Sequence, residues 1–121
     1  MRFMSIVKGP ETGPPSQKLM DAIGQLAQEM LQKGVMLDMG GLLPSASGAR
    51  IRLAGGKLTV TDGPFTEAKE VVGGDAILKA ASKGKAIEQG RRFMQLHADI
   101  LGPDHQMELE IRQMFDEPPQ A

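Results

Sequence analysis

A chain of 121 residues, with 14 Lys and Arg against 15 Asp and Glu and a formal charge of −1, is sized for one domain. The absence of cysteine excludes disulfides, thiolate catalysis and thiolate-bound zinc together, and suits a reducing cytoplasm. Near-balanced charge without like-charge blocks, and aromatics limited to Phe3, Phe65, Phe93 and Phe115, argue against direct nucleic-acid or anionic-lipid binding.

The first apolar run, Phe3 to Val7, is too short for a signal-peptide core or a membrane span, so the expected location is cytoplasmic, with no membrane partner. Met1 to Lys8 reads as a first strand, apolar on both faces and central in a sheet. "GPETGPP" is a loop, and Ser16 is placed as the N-cap of a helix reaching Lys33. Its stripe of Leu19, Met20, Ile23, Leu26, Ala27, Met30 and Leu31 follows the helical period, and Gly34 stops it. A second strand covers Val35 to Leu42. "ARIRLAGGKLTVTD" is a hairpin turned by Ala54-Gly55-Gly56-Lys57, with Ile51 and Leu53 on one face and Arg50 and Arg52 on the other. "DAILKA" is another strand. A second helix spans Lys83 to Leu101, with His97 on its apolar stripe and Gly102-Pro103 at its end. In the last strand, "QMELEIRQMF", Met107, Leu109 and Ile111 oppose Glu108, Glu110 and Arg112. The nine methionines are expected mainly as core filling.

This order is that of an α+β, ferredoxin-like split β-α-β with an inserted hairpin, one domain over residues 1–115 followed by a flexible tail over 116–121. Both helices then cover one sheet face. The charged face is left without a cover, and pairing sheet against sheet in a homodimer would enclose it and could create a pocket.

The stretch "VTDGPFTEAKEVVGGD", Val60 to Asp75, carries more chemistry than a chain reversal needs. With Asp62, Gly63, Pro64 and Phe65 at its head, it resembles the YCII-related family, specifically its DGPF branch. "GGLLPSASGARIR" resembles the strand and hairpin that precede the motif in that branch, and "RRFMQLHADILGP" with "ELEIRQMF" resembles a subgroup of it. The resemblance implies a ferredoxin-like subunit pairing as a dimeric α/β barrel, and members recur beside extracytoplasmic-function sigma factors. A wider family pattern of a His-Asp acid/base pair does not carry over, because the first helix has no histidine. After Gly73-Gly74, where many relatives have aromatic residues, this chain has Asp75 and Ala76.

His97, Glu67 and Lys69 are the candidate acid–base groups. His97 is of the side-chain type most often used for acid–base work, at a position that also suits a core histidine, and Glu67 and Lys69 share a face only if their segment is extended. Asp62, Phe65, Arg52 and Arg112 are the candidate ligand contacts. For Asp62 the competing reading is a turn brace accepting backbone N–H bonds, and for Phe65 a core anchor. His97, Asp99 and His105 lack a ligand spacing, so no metal is expected. No phosphate loop, nucleophile elbow or dinucleotide fingerprint implies a cofactor. Two functions fit these features. One is a small homodimeric protein that binds a small polar or anionic molecule, with acid–base turnover as an option. The other is a non-catalytic accessory protein acting with a sigma factor.

Overall fold

In the computed structural model, residues 1–11, 14–65 and 71–116 are described. The elements run β1 (Arg2–Lys8), α1 (Gln17–Gln32), β2 (Met36–Gly41), a single 3-10 turn (Ser45–Ser47), β3 (Ala49–Ala54), β4 (Lys57–Asp62), β5 (Val72–Lys79), α2 (Lys83–Leu101) and β6 (Glu108–Gln113). Strands β2, β5, β1 and β6 form one antiparallel sheet in that order, with β1 and β5 central. The architecture is α+β and compatible with the ferredoxin-like split β-α-β expected from the order of elements.

Local chemistry sets the helix bounds. The Ser16 hydroxyl accepts from the Leu19 amide at 3.2 Å and caps α1, and Ser82 does the same for α2 through the Lys85 amide. Gly34 takes φ 72° just past α1, while the amide of Val35 bonds back to the Met30 carbonyl at 3.0 Å. Gly102, at φ 85°, ends α2. The helices are joined on their outer side by an Arg92–Glu29 ion pair.

The core lies between the helices and one face of the sheet. Phe3, Ala27, Met30, Met36, Leu78 and Ala86 form it, with Ile111 packed against its edge. Register explains the choice: Phe3 faces Leu78 on one side and Gln113 on the other, so alternate residues of β1, β5 and β6 point to the helices. Met30 and Met36 fill core space as expected, but Met1, Met20 and Met39 stand in solvent. Gly74 lets two strands close up, since a Cβ there would lie 2.7 Å from the Gly40 carbonyl oxygen.

The opposite sheet face has no helix on it among the described residues. Besides Glu108, Glu110 and Arg112, it carries Met4, Ile6 and Ile77, so it is mixed rather than uniformly charged. The hairpin forms its own two-stranded sheet, β3 against β4, turned at Gly55 and Gly56 with φ 57° and 74°. All of its strand residues are exposed, on both faces. Among the described residues no helix is long and apolar enough to cross a membrane.

Candidate functional site

The Asp-Gly-Pro-Phe loop is held from a distance. The amide and hydroxyl of Ser45 both donate to the Glu11 carboxylate, the hydroxyl at 3.0 Å, and Ser45 Oγ accepts from the Phe65 amide at 3.1 Å. One buried serine thus ties the segment after β1 to the loop after β4. Beside it, Gly63 donates to the Gly48 carbonyl at 3.0 Å, and the Gly63–Pro64 bond is cis. A Cβ on Gly63 would fall 1.7 Å from the Ser45 carbonyl oxygen, so close approach, not an unusual φ, demands glycine.

These contacts correct two expectations. Asp62 ends β4 opposite Ala49 and is exposed. Its carboxylate accepts no hydrogen bond among the described residues, so Ser45 is the brace instead. Phe65 is half-buried and lies outside the core cluster. Its ring carries the Arg50 guanidinium at 4.0 Å from its centroid, a cation–π arrangement.

Around that stack opens a cleft of about 590 Å³. Its walls are the Gly41–Gly48 connection, the root of β3 with Ala49 and Arg50, Phe65, and Val71 with Val72. The lining is mostly apolar, with Ser45, Ser47 and Arg50 as its polar side chains among the described residues. An aromatic plate, a guanidinium charge and a hydroxyl can hold a small molecule carrying a carboxylate or phosphate oxygen. A second groove, of about 410 Å³, runs between α2 and β6. Ile87, Gly90, Met94, Leu109 and Ile111 line it, with Lys83 and Arg91 beside them.

Of the candidate ligand contacts, only Phe65 lines the cleft. Arg52 stands on the exposed hairpin, and Arg112 lies on the open sheet face, bonded to Glu110. Glu67 and Lys69 fall outside the described residues. His97 is 7% exposed inside α2. Its Nδ1 lies 2.8 Å from the Phe93 carbonyl oxygen, its ring leans on Phe93, and it lines neither the cleft nor the groove. Glu11, Ser45 and Arg50 were not among the expected site residues. Glu11 and Ser45 meet across 34 positions and carry no local motif. Arg50 could have been found from its place two residues past Gly48, at the foot of the hairpin.

On the open sheet face Glu110 receives Lys8 at 2.8 Å and Arg112. The hydrogen bond from Lys8, then that from Arg112, holds the Glu110 carboxyl below the ordinary glutamate range, and Glu110 in turn raises the Lys8 ammonium. Between the helices, Arg92 and then Lys33 lower Glu29 in the same way.

A family profile of the YCII-related domain matches residues 1–100. The chain belongs to the YCII-related family. The match covers β1 through nearly all of α2, including the loop and cleft, and stops before β6. No curated protein matches the chain closely enough to lend it an activity.

Proposed function

We propose that this YCII-related chain is a homodimer of the DGPF branch that binds a small polar or anionic molecule in the cleft beneath the hairpin. The observation that carries this reading is the Arg50 guanidinium stacked on Phe65 within a cleft of about 590 Å³. Phe65 offers a flat wall and Arg50 the charge that selects an anion, while Ser47 Oγ, which donates to the Pro44 carbonyl at 2.9 Å, is left to accept from a polar group of the ligand. Acid–base turnover would draw on Glu67 or Lys69, which follow Phe65 by two and four positions, more readily than on His97, which lines another part of the molecule. Dimerisation is supported by the open sheet face, where Met4, Ile6 and Ile77 surround the Lys8–Glu110–Arg112 cluster without a covering helix among the described residues.

The test is thermal stabilisation by inorganic phosphate and by succinate. A ligand at one hundred times its dissociation constant adds about 2.7 kcal/mol and raises Tm by several degrees. Arg50→Gln should abolish that rise while Lys57→Gln, at the hairpin tip, keeps it. Equal responses from wild type and Arg50→Gln would overturn the reading. Light scattering at micromolar concentration should give the mass of two chains.

A further inference from the structure

The hairpin presents an uncovered apolar surface. Ile51 pairs with Val60 and Leu53 with Leu58 across the two strands, on a single face, each between 64% and 71% exposed. At the foot of the hairpin Leu42 and Leu43, 62% and 79% exposed, form a lip on the cleft. A two-stranded hairpin by itself is marginally stable in water, and two solvated cross-strand aliphatic pairs do little to secure it. Arm and lip together expose roughly 400 Å² of apolar side chain, taking about 100 Å² per aliphatic group. A standard interface takes about 800 Å² from each partner, a little over half of it non-polar, so this surface matches the apolar share of one full interface.

We propose that β3–β4 is an exchange arm: its Ile51–Leu53–Leu58–Val60 face seats on the Leu42–Leu43 lip of a second copy, and the cleft of each chain is roofed by the arm of the other. The occupant is a second copy because one chain carries two uncovered apolar surfaces, the arm face and the lip, whose combined area matches the apolar share of one interface. A two-fold axis satisfies both at once, with residue i meeting j and j meeting i. A different protein would have to supply apolar surface against each of them. The roofing role rests on the reading of the cleft as the binding site; the seat itself rests on the surface alone. Enclosure would strengthen the Arg50–anion contact by excluding water.

The cysteine-free chain makes the seat directly measurable. Leu53→Cys and Leu43→Cys, co-expressed under two tags and oxidised, should give a disulfide-linked dimer in which peptide mapping joins position 53 to position 43. Bridges only between like positions, or a monomer by light scattering, would overturn the arm exchange; the monomer would leave the arm free for another protein. Leu58→Lys guards against cysteine artefacts. At 71% exposure the substitution should leave the circular dichroism spectrum native, yet weaken dimerisation at least tenfold in sedimentation equilibrium. Unchanged association would overturn the proposal. Phosphate binding without a 53–43 bridge removes the arm exchange alone, whereas the bridge without phosphate binding supports the exchange and removes the small-molecule reading.

Discussion

Ser45 Oγ is engaged on both sides, accepting from the Phe65 amide and donating to Glu11, whereas the Asp62 carboxylate, three residues before Phe65, accepts no hydrogen bond among the described residues. Ser45→Ala should therefore cost about 1–3 kcal/mol, because it leaves the Phe65 amide short of a partner inside the fold and removes a charge-assisted hydrogen bond to the exposed Glu11 carboxylate. Asp62→Ala should change stability by less than about 0.5 kcal/mol. Urea denaturation of the two variants checks the contrast. Glycines sort the same way. Gly63→Ala drives a methyl into the Ser45 backbone carbonyl and should cost about 3 kcal/mol or more, since backbone on both sides cannot give. Gly90→Ala meets only the ends of the Ile111 and Leu109 side chains, at 2.7 and 3.0 Å, and gains about 1 kcal/mol of helix propensity. Its net effect in the same assay should be near zero.

At the scale of elements, the sequence was legible wherever a rule is local. Alternation in β6, the Ser16 cap, Gly34 and Gly102 fixed strand faces and helix ends to within a residue or two, because each depends on neighbours in sequence. The Gly55-Gly56 turn was legible for the same reason: both central positions need positive φ. What escaped was distant. Asp62 looked like the brace because Asp-Gly-Pro is a turn signal, but Glu11 and Ser45 reach the loop through the fold, and a contact across 34 positions leaves no trace in spacing. Nor could alternation tell that the apolar face of the hairpin is exposed, at 64% to 71% for its four aliphatic residues. Amide exchange should separate these elements. β1 and β5, each flanked by a strand on both edges, should exchange slowest, and β3–β4, a separate two-stranded sheet, fastest in dilute solution. Raising the protein concentration should slow the hairpin amides selectively if the arms seat on one another's clefts.

For the molecule as a whole, ion pairs shape the response to pH. Glu110 and Glu29 both have carboxyls lowered by cationic partners, Lys8 then Arg112 for the first, Arg92 then Lys33 for the second. A lowered folded-state pKa stabilises at pH values above the unfolded one and is lost as pH falls through the folded value. Stability should decline in acid, below the ordinary glutamate range, and Glu110→Gln should flatten that limb in denaturation midpoints measured across pH. Lys8 has the opposite sign: its contribution is present below the ordinary lysine range and is lost as pH climbs past its raised value. These pairs are partly solvated, so added salt should shrink both effects.

The two ends of the described chain lie against each other. The Arg2 guanidinium donates to the carbonyls of Phe115 and Asp116 at 2.7 and 3.0 Å, and the Met114 amide bonds to the Arg2 carbonyl at 2.8 Å. Residues 2 and 116 thus stand side by side, so a short bridge between them would close the described chain into a ring. A circular permutant that joins the old ends through a short glycine linker and starts at Gly56 would keep every strand pair of both sheets. It should fold with a native circular dichroism spectrum, and its new termini would emerge at the hairpin tip.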